Sequence, residues 1–191
     1  GESYSSKISK VVRFLKNNKA DYCFISAPEN VAWLLNIRGY DNPNSPIANA
    51  RLILNKKKEL FLVANESNLK NLLVDKKIKK KQILSIESLP QFLENLRGKN
   101  FIIDNKTCSI FYEKIIKSNF NILKFDDPVY GLKSIKNSFE IKHMIEAHKK
   151  DGLALTRFIY WIKNVNKKKI TEVYAQNKLE KFRKLNKDYL F

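Results

Sequence analysis

The chain has 191 residues and a mass of 22.4 kDa, enough to enclose a hydrophobic core, and its 43% hydrophobic and 12% aromatic content excludes disorder as a description of the whole. The balance of 37 basic to 19 acidic residues gives a net charge of +18, but the cations are mostly lysine and no RNP-like aromatic motif is present, so no sequence-specific nucleic acid partner is expected. No apolar run approaches the ~20 residues that span a bilayer and the opening GESYSSKISK lacks the apolar core of a signal peptide, so a cytoplasmic protein with no membrane partner is expected.

In chain order, Ile8, Val11, Val12 and Leu15 share one face and predict a helix over 5–18, with Ser5 or Ser6 as its cap. Tyr22 to Ile25 is a buried strand, and Pro28 opens a short helix through Leu35 that ends at the loop GYDNPNSP. Ala50 to Leu54 and Leu60 to Val63 form a hairpin whose tip, NKKKE, is lysine-rich. A helix at about 66–75, a strand at Ile83 to Ile86 and a helix at about 88–97 follow, the last stopping at Gly98. Phe101 to Ile103 reads as a buried strand, 107–118 as a helix and Ile122 to Phe125 as a strand. This alternation predicts an α/β domain, a mixed β-sheet flanked by helices. Beyond Asp127 and Pro128 the strand signals cease, and two helices, about 138–163 and 170–187, carry more apolar surface than they can bury against each other.

The residues that could carry chemistry are few. Cys23 and Cys108 make neither a disulfide framework nor a CxxC pair and read as reduced, buried or half-buried thiols. His143 and His148 are five apart, about 500° around a helix, so they do not share a face as metal ligands at i and i+4 would. Asp126 and Asp127 are adjacent on an extended chain and point to opposite sides, which suits a strand end capping a turn before Pro128 better than a shared acid/base pair. There is no GxGxxG and no P-loop lysine motif. The lysine runs 56–58, 76–81 and 167–169 fall between periodic segments and read as solvated loops. Arg38, set among Trp33, Asn36, Gly39 and Asp41, reads as a group that satisfies a loop by hydrogen bonds rather than as a ligand contact.

Three stretches carry a family resemblance. APENVAWLLNIRGYDNPNSP resembles the (D/E)-x-(I/V)-A-W-L-x-N-(I/L)-R-G-x-D-x-x-x-x-P segment of Xaa-Pro aminopeptidases of the long three-domain type. LKSIKNSFEIKHMIEAHKKD resembles the K-x-x-K-N-x-x-E-I-x-x-M-x-x-A-H-x-x-D segment that begins the catalytic domain of that family, and ITEVYAQNKLEKFR resembles its I-T-E-x-x-x-x-x-K-L-E-x-F-R. They occur in the family's order and cover most of the chain.

The resemblance implies that residues 1–132 are a creatinase-like second domain and that 133–191 are the first two helices of an incomplete pita-bread catalytic domain. Trp33, Asn36, Arg38, Gly39 and Asp41, with Lys136, Asn137, Glu140, His148 and Asp151, match the signatures and are expected in structural or interdomain roles, none of them catalytic. The family removes an N-terminal residue that precedes proline, using two divalent ions, commonly manganese, held by two aspartates, a histidine and two glutamates. All five ligands are expected beyond Phe191, so the chain is expected to be an interior fragment without its own cofactor, inactive alone, with the remaining domains of the parent chain as partners, a homodimer formed through its apolar helices, and peptide substrate bound only by the parent. A reading from another class is a noncatalytic creatinase-like scaffold that binds a protein or peptide partner.

Overall fold

The computed structural model describes residues 1–39, 41, 45–65, 78–166 and 170–189, which form two compact units, Glu2–Ile135 and Lys136–Phe191. The first is a six-stranded sheet between two helical layers. Its elements are α1 (Tyr4–Asn17), β1 (Tyr22–Ile25), α2 (Pro28–Leu35), β2 (Arg51–Asn55), β3 (Leu60–Val63), β4 (Ile83–Leu84), α3 (Leu89–Glu94), β5 (Asn100–Ile103), α4 (Ile110–Lys117), β6 (Asn121–Lys124) and α5 (Pro128–Ser134). The strand order is β4-β3-β2-β1-β5-β6. β2 lies antiparallel to β1 and β3, whereas β1 with β5, β5 with β6 and β3 with β4 are parallel, so the sheet is mixed as expected. The expected helix at about 66–75, and Lys76 and Lys77 of the second lysine run, lie outside the described residues.

Alternation along each strand sends side chains to opposite layers. Cys23, Ile25, Leu52, Leu54, Leu62 and Ile102 pack with α1, α2 and Val129 of α5. Tyr22, Phe24, Ile53, Val63, Phe101 and Ile103 pack on the other side with Leu89 and Leu93 of α3, Tyr112 and Ile116 of α4, and Phe120. With both faces covered, β1 and residues 101–103 of β5 are buried at every position, which is why they read as continuous apolar runs.

Several local details depart from expectation, among them the end of α3, which lies at Glu94 with Asn95 as its cap and not at Gly98. Ser3, not Ser5 or Ser6, caps α1, its side-chain oxygen accepting from the Ser6 N–H at 3.3 Å. Residues 128–134 form a helix rather than a simple turn, because Asp127 caps it and Pro128 occupies its first turn. The strand expected at Ile83 to Ile86 is only two residues long.

The second unit contains α6 (Ser138–Asn164) and α7 (Glu172–Arg183). Ala154 is the buried residue of α6 and α7 has none, while Phe139, Ile145, Leu153 and Val173 stay 50% exposed or more. Lys167 to Lys169, the third lysine run, lie outside the described residues.

Candidate functional site

The first signature segment folds into an interlock around Lys7. Lys7 sits four residues before Val11 and eight before Leu15, on the buried stripe of α1, and is only 3% exposed. Its ammonium donates to the Trp33 carbonyl at 2.8 Å and to Asn36 Oδ1 at 2.6 Å, and lies 4.0 Å above the Trp33 ring centroid. Asn36 ends α2 at φ 53°, a left-handed position asparagine tolerates, and its Nδ2 donates to the Glu2 carbonyl at 3.0 Å.

The loop that follows is held by backbone contacts. The Gly39 N–H donates to the Pro46 carbonyl at 3.2 Å, and a Cβ there would stand 2.6 Å from the Ala48 Cα. Only a residue without a side chain lets the two strands of the loop approach that closely. Asp41 Oδ2 accepts from the Asn49 N–H at 2.6 Å. Arg38 is exposed and donates to the adjacent Ile37 carbonyl at 2.8 Å. Tyr40, Asn42, Pro43 and Asn44 of this loop lie outside the described residues.

A second polar cluster lies beyond the carboxyl ends of β1, β5 and β6, the region where open α/β sheets usually place ligands. Asn30, fully buried on α2, donates to Asp127 Oδ2 at 2.7 Å and accepts from Lys133 Nζ at 2.6 Å. Asp127 Oδ1 accepts from the Val129 N–H at 2.9 Å. Burial raises the Asp127 carboxyl above its ordinary value against the pull of the Asn30 and Val129 donors, and Asp104 adds to the rise. Tyr130 donates to Glu29 at 2.8 Å, and burial with that carboxylate pushes its hydroxyl up to about 12. Ser26 and Thr107 pair at 2.7 Å between their hydroxyls. No buried side-chain polar atom among the described residues lacks a partner. The cluster is closed on itself and binds α5 to α2.

Neither thiol is activated. Cys23 is buried, and burial followed by the Asp127 and Asp104 charges raises its thiol well above the ordinary value. Cys108 is half-buried and raised to about 11 by burial, with Glu113 and Asp104 adding to it.

In the second unit, Asn137 and Glu140 form a reciprocal capping box. The Glu140 N–H donates to Asn137 Oδ1 at 2.9 Å and the Asn137 N–H to Glu140 Oε2 at 3.0 Å. Asp151 takes a two-pronged contact from Arg183, at 2.7 and 3.3 Å, joining α6 to α7. Exposed His148 places Nδ1 2.7 Å from the Met144 carbonyl, and His143 packs on Phe139 with ring centroids 4.3 Å apart. Lys136 and His148 border a shallow apolar groove on α6 with Ile141, Met144 and Ile145. Lys7, Asn30 and Asp104 were absent from the expected site; the signal for Lys7 was its position on the apolar stripe of α1, while Asn30 and Asp104 carried none.

Among the described residues no three histidine, cysteine, aspartate or glutamate side chains gather where they could hold a metal ion, and no helix is long and apolar enough to cross a membrane. The acidic groups nearest such a role are engaged elsewhere, Asp127 by Asn30 and Val129, and Asp126 by Lys106 at 2.7 Å.

A model of the creatinase/prolidase N-terminal domain matches residues 1–140. The chain is 28% identical to Xaa-Pro aminopeptidase 1 of Dictyostelium discoideum over 197 residues, covering all of this chain and 31% of that protein. It is likewise 28% identical over 207 residues to a probable Xaa-Pro aminopeptidase P of Ajellomyces capsulatus, covering 33% of that protein. Among solved structures, the X-prolyl aminopeptidase of Caenorhabditis elegans, described as a cytosolic enzyme with a di-nuclear active site, superposes with a TM-score of 0.82 at 22% identity over all of this chain and 32% of its own. The Xaa-Pro dipeptidase of Bacillus anthracis gives 0.71 at 14% identity, over 96% of this chain and 49% of its own. The chain thus spans about a third of the length of the curated relatives it matches.

Proposed function

The chain belongs to the creatinase/prolidase N-terminal domain family, and from that membership we propose that it is the creatinase-like middle domain, with the opening helices of the catalytic domain, of a metal-dependent Xaa-Pro aminopeptidase acting in the cytoplasm. The observation that carries this reading is the end-to-end match to about a third of proteins named as such peptidases. In it the parent enzyme cleaves the bond before proline with two divalent ions, manganese by preference, whereas this chain supports that chemistry without performing it.

The residues described here do not fit a dinuclear metal site. Their carboxylates are capped, paired or dispersed, and the two histidines face a ring and a carbonyl on one helix. The contribution of this chain is rigidity: the Lys7 interlock and the Gly39 contact hold the loop after α2, and the Asn137–Glu140 box fixes where α6 begins. The exposed apolar face of α6 is then covered by the remaining domains of the parent, and the isolated chain pairs through it with a second copy.

The test is an assay of the 191-residue chain with an Arg-Pro-Pro peptide and manganese beside the parent enzyme. Turnover by the parent alone is expected. Turnover, or tight stoichiometric manganese binding, by the isolated chain would overturn the reading.

A further inference from the structure

The lysine-rich turns, scattered in sequence, meet at one end of the sheet. Asp21 is their hub. Its carboxylate accepts from Lys56 Nζ at 2.6 Å, from the Lys99 N–H at 2.8 Å and from the Asn100 N–H at 3.2 Å, while its carbonyl accepts from the Lys56 N–H at 3.1 Å. Asn100 Nδ2 donates to the Lys19 carbonyl at 3.0 Å and the Tyr22 hydroxyl to the Arg97 carbonyl at 2.9 Å. Three turns, the end of α1, the β2–β3 hairpin tip and the approach to β5, are thereby locked together. They present six exposed cations, Lys19, Lys56, Lys57, Lys58, Arg97 and Lys99, against two carboxylates, the partly covered Asp21 and the exposed Glu59 of the hairpin tip.

The backbone adds an independent sign. Lys19 has φ 52° and Lys58 has φ 69°. Lys19 follows the cap of α1, where Lys19 N–H to Lys16 O and Ala20 N–H to Leu15 O complete a helix-ending turn that favours glycine. Lys58 closes the hairpin turn by donating to the Asn55 carbonyl, again in a left-handed position usually given to glycine. At both places a cation stands where the backbone prefers no side chain, and both places face the same end of the sheet.

We propose that this end of the sheet is a sequence-independent docking surface for the phosphate backbone of a nucleic acid duplex. The chemistry selects that partner. Protein–protein contact cores are depleted in lysine and enriched in aromatics. Membrane surfaces are held by apolar anchors beside the cations, and single strands by stacked aromatic rings. None of the large exposed apolar side chains among the described residues lies in these three turns. With Lys56 paired to Asp21, the other exposed lysines and a single arginine suit phosphates that are contacted without being read.

The experiment is fluorescence anisotropy of a labelled 20-base-pair DNA duplex titrated with the chain between about 50 and 200 mM KCl. About five phosphate contacts give a slope of log affinity on log salt near −4.5. The double substitution Lys19→Gly with Lys58→Gly should make that slope shallower by about 2 and leave the thermal midpoint unchanged or raised. Lys57→Gln with Lys99→Gln, which leaves the backbone untouched, should do the same if the glycine pair disturbs folding. Lys142→Gln with Lys163→Gln on α6 removes equal charge elsewhere and should change the slope by less than about 1. Equal loss from both sites would mean net charge alone is responsible and would overturn the proposal. So would no binding at about 50 mM salt, or tighter binding of polyglutamate or of phosphatidylserine vesicles than of the duplex.

Discussion

Lys7 Nζ stands 2.6 Å from Asn36 Oδ1, joining the first helix to the left-handed residue that ends the second across 29 positions of sequence. Lys7 is itself buried and its ammonium holds two acceptors, Asn36 Oδ1 and the Trp33 carbonyl, so losing it removes two charge-assisted hydrogen bonds that tie α1 to the end of α2. Lys7→Met should cost about 2 kcal/mol. A double-mutant cycle with Asn36→Gly, which keeps the left-handed backbone, should show coupling of about 1 kcal/mol or more. Strict additivity in urea melts would show that the contact does not stabilise the fold.

Gly39→Ala places a methyl 2.6 Å from the Ala48 Cα, closer than any real contact allows, so the backbone of the loop must move. The expected cost is about 2 kcal/mol. Nuclear magnetic resonance shifts should change at residues 46–49. An unchanged midpoint would mean that the loop widens freely.

Asp21 is opposed by burial, but its hydrogen bonds to Lys56, Lys99 and Asn100 prevail and hold its carboxyl below the ordinary 3.8. A group with a lowered folded-state pKa contributes stability that is fully present above the unfolded value and lost as pH falls through the folded one. Asp21→Asn should therefore lower the urea midpoint at neutral pH, and its difference from the parent chain should shrink below about pH 4. A difference independent of pH between 7 and 3 would remove the carboxylate from the account.

Asn137→Ala breaks one half of the capping box that starts α6 and should cost about 1 kcal/mol. Hydrogen exchange should speed up at the amides of Phe139 and Glu140 while those of β1 and β5 stay protected. In the parent enzyme the same change should lower the thermal midpoint while leaving metal stoichiometry intact, because the residue caps a helix rather than holding an ion.

Much of the fold was legible in local pattern. β1, α2 and β3 lie where their apolar runs place them, since a strand covered on both faces must be apolar throughout and Pro28 suits a first helical turn. The α5 helix was missed although its signals, an aspartate followed by proline, were present in DDPVYGLKS. Seven residues give too little periodicity to distinguish a helix from a turn. The Trp33 to Asp41 and Lys136 to Asp151 signatures were visible as strings, but their work as an interlock, a glycine contact and a capping box was not.

By itself, the sequence determined the alternation of elements and the family, because the apolar runs and signature strings that carry them are local in the chain. Tertiary structure alone decided that Lys7 is buried, that Asn30 bridges Asp127 and Lys133, and that three lysine-bearing turns share one carboxylate. Those contacts join residues up to 103 positions apart. They exist only because the strand order sets β1 between β2 and β5, bringing both ends of β1 against segments that local periodicity cannot pair.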